Sequence, residues 1–427
     1  MRIYIETYGC ALNRADESIM KVVLTSRGHI ITGRIDEADA VIINTCTVRL
    51  DTEMRMLDRI RKLYEYTEKT GKKLIVAGCM AMAQPYQVRK IAPRTSLVSP
   101  QDASRIWRAV ETSEPVVLLS GERDRKLVGV WIEKHIAYIP IQDGCLGNCS
   151  FCITKLARRR LVSYPMEYII ESIRKAVEMG AVEIELTGQD TASYGLDLYG
   201  RQMLPELLRR LSDVTGNYRV RIGMMNPDTL KPILDELIES MNNNPRIYRF
   251  LHIPVQSGSD KVLRIMRRRY SIEEYYEIIE TLRRKIPDIA IATDIIVGHP
   301  GEEEEDFEAT LKIIRELRFE RVHFAEYTVR PNTYSASLPQ VPTRIKKERL
   351  LRLLKLVEEV GLEVHRRYVG RKMNVIITEY NKRWIGRTDN YIPVVIMDGD
   401  LSYGDHVEVC IEDATFYDLR GSICSSN

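Results

Sequence analysis

Three cysteines, Cys145, Cys149 and Cys152, lie in the run Ile141-Gln-Asp-Gly-Cys145-Leu-Gly-Asn-Cys149-Ser-Phe-Cys152. A C-x3-C-x2-C spacing puts three thiolates on one short loop. That is enough to hold three corners of a cubane iron-sulfur cluster and leave the fourth iron open to a small molecule. Zinc ribbons pair one C-x2-C with a second or with histidines, and neither follows here. Structural zinc and packed thiols are the alternatives. A second set is spread wider: Cys10, Cys46 and Cys79 each follow a short apolar run that reads as a strand. One cysteine past a strand is usually a small buried hydrophobe. Three at equivalent places converge on one point, which favours a second three-cysteine cluster site over reactive thiols. Gly9 and Gly78 support this, because glycine lets backbone pass close to a bulky group.

The elements that must position these residues alternate between strand and helix. Arg2 to Tyr8, Ala40 to Asn44 and Lys73 to Ala77 read as strands, with a helix over 15–26. Such alternation predicts a parallel sheet whose carboxyl-end loops share one edge. A second series starts near Lys134, with strands at Ala137–Ile141, Val182–Leu186, Arg219–Ile222, Phe250–Ile253, Ile289–Val297 and Val322–Glu326. Helices over 167–178 and 271–284 separate some of them. Six such units predict an open, partial (β/α) barrel, whose chemistry lies at the carboxyl ends of the strands. The C-x3-C-x2-C loop falls there, directly after the first strand. A basic amphipathic helix over 344–367 leads to short strands at 373–378, 384–388, 391–396 and 406–410, as in a small β-barrel.

Length and composition fit this division. A chain of 427 residues exceeds a comfortable single core. With 44% apolar and 29% charged residues it is globular in character, and no apolar run approaches a membrane span. No secretory signal precedes the first strand, so the expected location is cytoplasmic and the eight cysteines are expected to serve metal or catalysis rather than a disulfide framework. Cys410 is expected in the core, and Cys424 as a mobile thiol. A net charge of +3 does not by itself argue for nucleic acid. Basic clusters at Arg158-Arg159-Arg160 with Lys155, at Arg267-Arg268-Arg269 with Arg264, and at Arg344, Lys346, Lys347, Arg349 and Arg352 read singly as solvated faces; several around one site would track phosphates.

These parts resemble the methylthiotransferase family of radical S-adenosylmethionine enzymes over essentially the whole chain. Thr7-Tyr-Gly-Cys10-Ala-Leu-Asn13 with Asp16, Asn44-Thr-Cys46-Thr-Val48 and Ala77-Gly-Cys79-Met-Ala81 resemble the family's amino-terminal cluster motifs. Gly144 to Cys152, Leu186-Thr-Gly-Gln189-Asp190, His252 to Ser259, and Thr293 to Gly298 with Pro300-Gly301-Glu302 resemble its barrel motifs. Trp384 to Tyr391, with Gly404-Asp405, resembles its RNA-binding TRAM domain.

The resemblance implies three domains: 1–125, a parallel α/β domain with an auxiliary cluster; 126–366, a TIM-like partial (β/α)6 radical barrel; and 367–427, an OB-like TRAM β-barrel. It implies two [4Fe-4S] clusters and S-adenosylmethionine. Cys145, Cys149 and Cys152 would hold the cluster that cleaves the cofactor, and Cys10, Cys46 and Cys79 the cluster that delivers sulfur. Phe151, Gly188, Gln189, Asp190, Gln256 and Asp294 would lie at the cofactor, with core packing as the other reading of Phe151 and loop-amide acceptance that of Asp294. An unactivated aromatic C–H has no acidic proton and no leaving group, so a cofactor radical is required. An external electron donor and a sulfur source would be partners. Glu6 to Asp16 and Ile291 to Ile296 most resemble the archaeal and eukaryotic branch, which adds a 2-methylthio group to N6-threonylcarbamoyladenosine next to the anticodon of tRNA. The alternatives are isopentenyl-adenosine in tRNA, an aspartate of a ribosomal protein, or a metal-stabilised RNA-binding protein without catalysis.

Three departures bear on this. His299 stands where the family has an aromatic residue, placing a titratable group near the cofactor. In Arg330-Pro-Asn332-Thr333 the family's glycine is missing from a loop expected to face substrate. The tail is not strongly basic: Asp398, Asp400, Asp405, Glu408, Glu412, Asp413 and Asp418 offset Arg371, Lys372, Lys382, Arg383, Arg387 and Arg420. Trp384, Tyr391 and Tyr403 either stack unpaired bases or pack the barrel.

Overall fold

The computed structural model describes residues 1–126 and 129–424. Strands β1 (Arg2–Thr7), β2 (Ile30–Thr32), β3 (Ala40–Thr45), β4 (Lys73–Gly78), β5 (Ser96–Val98) and β6 (Val117–Leu118) form one parallel sheet in the order β2-β1-β3-β4-β5-β6. β3 and most of β4 are buried on both faces, which is why they read as unbroken apolar runs instead of alternating ones. Helix α1 (Ala11–Ser26) lays Ile19, Met20 and Leu24 on Ile3, Ile42 and Ile75. Helix α2 (Leu50–Thr70) covers the opposite face, packing Met56, Ile60 and Leu63 on Val41, Ile43 and Val76.

The second unit begins with β7 (Ile132–Glu133), antiparallel to β8 (Ile136–Pro140), and a short ribbon of β9 (Gln142–Asp143) and β10 (Val162–Ser163). β8 pairs in parallel with β11 (Glu183–Thr187), and β11 with β12 (Arg219–Ile222). β13 (Phe250–His252), β14 (Ala290–Val297) and β15 (Arg321–Glu326) form a second parallel group. A parallel bridge between Val220 and Ile247 joins the groups, giving the open six-stranded barrel expected from the sequence. Helices pack outside it; that over Ile272–Lys285 starts from a capping box between Ser271 and Glu274. The basic helix Thr343–Arg366 belongs to this shell, with Leu353, Leu356, Val357 and Val364 in the barrel's core.

The tail closes a barrel from β16 (Lys372–Asn381), β17 (Arg383–Thr388), β18 (Pro393–Ile396), β19 (His406–Ala414) and β20 (Leu419–Ile423). Its core is continuous with Tyr248, Phe250, Ala290 and Ala292. Those residues begin or precede β13 and β14, so the small barrel plugs the end of the large one opposite the cysteine loops. Tyr391 is part of this plug. Its hydroxyl donates to Glu183 Oε1 at 3.1 Å, and Tyr248 donates to Glu183 Oε2 at 3.0 Å. Packing therefore accounts for Tyr391, and the strand expected from Tyr391 begins only at Pro393 because Tyr391 turns with φ 65°. Trp384 packs between Tyr380 and Tyr403, at ring distances of 4.8 and 5.3 Å, while Tyr380 stays half exposed.

Cys410 and Cys424 are joined in a disulfide, with Cα atoms 5.2 Å apart. This corrects both expectations for these thiols. Antiparallel pairing puts Cys410 opposite Ser422 and ties Cys424 N–H to Glu408, a neighbourhood that the linear spacing does not encode. Among the described residues, no helix is long and apolar enough to cross a membrane.

Candidate active site

Strands β1, β3 and β4 are immediate neighbours, about 4.8 Å apart. The loops at their carboxyl ends therefore meet. Cys10 precedes α1, Cys46 follows β3, and Cys79 opens the short helix Cys79–Ala83. Asn13 sits at their centre: its Oδ1 is 3.7 Å from Cys10 Sγ and 3.8 Å from Cys79 Sγ, and its Nδ2 donates to Tyr8 and Thr45 carbonyls at 2.9 Å each. Gly9 has φ 112°, and a Cβ there would fall 2.8 Å from Cys46 Cβ. At Gly78, with φ 89°, a Cβ would fall 2.4 Å from Asn44 Oδ1. Any side chain at either position would push these loops apart. Cys46 and Cys79 are buried and Cys10 is exposed. Burial pushes the Cys79 thiol up to about 12 and raises Cys46 as well, so a coordinated cation is what would hold both as thiolates.

The other three cysteines share one loop after β8. Gly147 N–H donates to Cys145 Sγ at 3.1 Å, Arg268 Nη1 to Cys149 Sγ at 3.4 Å, and Asn226 Nδ2 lies 3.9 Å from Cys145 Sγ. Donors aimed at sulfur favour the thiolate. Burial alone acts against it, pushing Cys145 up to about 12 and raising Cys152. All three are part-exposed, unlike Cys46 and Cys79. Nearby strand ends present buried acceptors without partners, Gln189 Oε1 and Gln256 Oε1. Three thiols, donors to sulfur and unpaired acceptors fit a cluster with an amino-acid-bearing cofactor on its open iron.

The polar residues expected at the cofactor separate on inspection. Gln189 and Gln256 keep free carbonyl oxygens, and Gln256 holds φ 69° between its backbone bonds to Asp294 and Ile296. Gly188 packs tightly, because a Cβ there would lie 2.8 Å from Gln142 Cγ. Asp190 is engaged: it accepts from Asn226 N–H at 2.9 Å and from Thr229 Oγ1 at 2.8 Å, fastening the loop after β12. Burial raises its carboxyl, and those donors act against the rise. Asp294 accepts from His252 Nε2 at 2.8 Å inside the barrel. Burial opposes its charge, but His252 prevails and holds the carboxyl below its ordinary range. Phe151 meets His299 edge to face, with ring centroids 6.2 Å apart.

The departures from the family pattern resolve physically. His299 fills the aromatic slot between Phe151 and Tyr327 and is fully buried. Its Nδ1 faces the Pro300 carbonyl at 3.0 Å, and its Nε2 lies 2.8 Å from Ser335 Oγ, whose hydroxyl donates to Ser150 Oγ at 2.8 Å. Burial lowers it to about 4, so it is neutral and does not titrate near neutrality. Asn332 has φ 61°, the left-handed conformation that the family's glycine serves and that asparagine tolerates. Arg330, expected to face substrate, turns instead toward the first domain. It is 3% exposed, donates to Thr47 carbonyl at 2.7 Å, and pairs with Glu53.

The basic clusters conceal residues that composition alone could not separate. Arg158, Arg268 and Arg349 turn inward while their neighbours stay near solvent. Arg268 reaches Cys149, and Arg349 pairs with Glu302 at 2.7 Å. Arg158 bonds Asn13 Oδ1 at 2.9 Å and Asp16 at 2.7 Å. Position in the sequence signals only Arg158, which lies just past the Cys145–Cys152 motif.

Barrel, sheet and cysteine geometry define a radical S-adenosylmethionine enzyme with an additional domain at each end. Family models agree: the radical SAM superfamily matches residues 139–314, uncharacterized protein family UPF0004 matches 2–99, and the TRAM domain matches 366–424. Relatives named probable threonylcarbamoyladenosine tRNA methylthiotransferase are similar along their whole length. That of Methanothermobacter thermautotrophicus is 40% identical over 97% of this chain and 98% of its own. That of Archaeoglobus fulgidus is 39% identical over 100% and 99%. The threonylcarbamoyladenosine tRNA methylthiotransferase of Homo sapiens is 33% identical over 98% of this chain and 73% of its own. The chain belongs to the threonylcarbamoyladenosine tRNA methylthiotransferase family. Solved structures share the fold at low identity: the radical S-adenosylmethionine methyltransferase TsrM from Kitasatospora setae has a TM-score of 0.61 at 14% identity, over 78% of this chain and 75% of that one. The cobalamin-dependent S-adenosylmethionine radical enzyme OxsB reaches 0.53 at 10%, over 83% and 56%.

Proposed function

We propose that the protein replaces the C2 hydrogen of N6-threonylcarbamoyladenosine, next to the anticodon of tRNA, with a methylthio group. The observation that carries this reading is the pair of three-cysteine sites at carboxyl strand ends of adjoining domains, joined through Asn13 and Arg158. When bound, the two clusters and S-adenosylmethionine supply a carbon radical able to take hydrogen from an aromatic C–H, the methyl group, and a place to hold the sulfur. The chain's residues bind and orient. Cys145, Cys149 and Cys152 hold one cluster and Cys10, Cys46 and Cys79 the other. Gln189 and Gln256 offer acceptors to the cofactor's amino and hydroxyl groups, and Phe151 packs against its base. Asp190 keeps the surrounding loops in place. Asp294 keeps a charged carboxylate toward the barrel interior through His252. An external electron donor and a sulfur source complete the reaction, which takes place in the cytoplasm with the tRNA pool.

The small barrel plugs the far end of the large one, more than a strand's length of about 20 Å from the cysteines. It therefore contacts a different part of the tRNA from the base being modified. Mass analysis of tRNA nucleosides from cells with and without the gene tests the assignment. Loss of the methylthio form of threonylcarbamoyladenosine is expected. An unchanged nucleoside profile with loss of a ribosomal-protein modification would overturn it.

A further inference from the structure

Arg158 ends the short helix Thr154–Arg158, just beyond Cys152, yet its guanidinium belongs to the other cysteine site. It is 2% exposed and touches three residues: Asn13 Oδ1 at 2.9 Å, Asp16 Oδ2 at 2.7 Å and Asp143 Oδ1 at 3.2 Å. Asp16 lies on α1 behind Cys10, whereas Asp143 lies just before Cys145. Arg123 completes the group, bonding Asp16 Oδ1 at 2.6 Å and approaching Asp143 Oδ2 at 3.7 Å. Two arginines and two aspartates, all buried, cancel in formal charge. Thiolates at Cys10, Cys46 and Cys79 are then extra negative charge in a poorly solvated place. The cation facing them is Arg158, one atom away through Asn13 Oδ1, which also faces Cys10 and Cys79 sulfurs. Arg123 turns its remaining donors to Tyr164 Oη and Pro100 carbonyl, away from the sulfurs.

We propose that Arg158 is a positioning residue shared by both sites: carried by the Cys145–Cys152 segment, it is the counter-charge of the Cys10–Cys46–Cys79 site and fixes the spacing between the two. This rests on the two-cluster reading above. A fixed positive charge beside a cluster stabilises its more negative, reduced form and so raises its reduction potential. It also makes tight retention of the three-loop cluster depend on the docking of the two domains, because the charge arrives from the second one.

The test uses the full chain carrying Cys145→Ala, Cys149→Ala and Cys152→Ala, in which iron can occupy only the three-loop site, after anaerobic reconstitution. Iron retained against a chelator and the midpoint potential followed by electron paramagnetic resonance are both read. Adding Arg158→Gln is expected to lower the potential and reduce iron retention by about tenfold or more. Arg158→Lys should restore most of the potential but not the retention, since an ammonium lacks the planar fork that spans Asn13 and both aspartates. Arg123→Gln should cost stability and leave the potential where it was. If Arg158→Gln does not fold, Arg158→Gln with Asp143→Asn replaces it, leaving Arg123 paired with Asp16 and no unpaired charge. An unchanged potential without Arg158, or an equal shift from Arg123→Gln, overturns the proposal. Failure of the triple-alanine parent to take up any iron would instead sink the two-cluster reading itself.

Discussion

The two cysteine sites use the same number of thiols and are built in opposite ways. One loop carries Cys145, Cys149 and Cys152, so their mutual spacing is local and survives as long as the loop does. Cys10, Cys46 and Cys79 come from three strands and exist as a site only because β1, β3 and β4 are neighbours. The single-loop site is part-exposed, with unpaired acceptors beside it, as a site receiving a second molecule must be. The three-loop site buries two of its thiols and ties its loops together through Asn13, whose amide donates to the Tyr8 and Thr45 carbonyls, although Asn44 Oδ1 there also lacks a partner. A site built from a loop accommodates a cofactor, whereas one built from a sheet edge fixes a geometry.

The largest effect that tests this contrast comes from the cysteines. Cys145→Ala is expected to abolish S-adenosylmethionine cleavage, while Cys46→Ala should leave some cleavage and stop sulfur insertion. Equal loss of both activities in both variants would end the division of labour. Next comes the latch between the domains. Arg330→Met leaves Glu53 buried without its cation and should destabilise the chain by about 3–5 kcal/mol in denaturant unfolding. A cost below about 1 kcal/mol would show that Arg330 does not hold the Cys46 loop in place.

His299 sharpens the comparison from the cofactor side. Its folded-state value near 4 against an ordinary 6.5 means that the unfolded chain binds the extra proton. Stability from this group is therefore complete above pH 6.5 and is lost as pH falls toward 4, by about 3 kcal/mol at the lower limit. His299→Phe should retain activity and flatten that part of the stability profile. Some slope should persist, because burial also lowers His323 to about 4. A fully inactive His299→Phe protein would show that the hydrogen bond to Ser335 is required. The smallest effect is expected at Asn332. Replacing it by glycine should change stability by about 1 kcal/mol or less, since both residues accept φ 61°. Asn332→Val should cost more, as a β-branched residue does not adopt that conformation readily.

Much of the architecture was legible in the chain. Strands buried on both faces announce themselves as apolar runs, and the six barrel strands were found near their observed places. The C-x3-C-x2-C loop was legible for the same reason that it works: its chemistry is contained in a few consecutive residues. The polar partners were harder to read. Asp190 looks like a free carboxylate until Asn226 and Thr229 are seen to occupy it. Arg158 looks like one of three solvated arginines until Asp16 arrives from another domain. Tyr391 and the Cys410–Cys424 pair were likewise hidden, since docking on the large barrel brings Glu183 to the first and the β19–β20 pairing brings the second together.

The sequence alone determined which side chains are available as donors: six thiols in two sets, with glycines where backbone must pass closely. It determined these because ligand chemistry and φ preference belong to single residues and short spacings. Tertiary structure decided which sets converge, which charges lie between them and which face stays open. Those depend on strand order and domain docking, where residues far apart in the chain exchange water for each other's hydrogen bonds and charge.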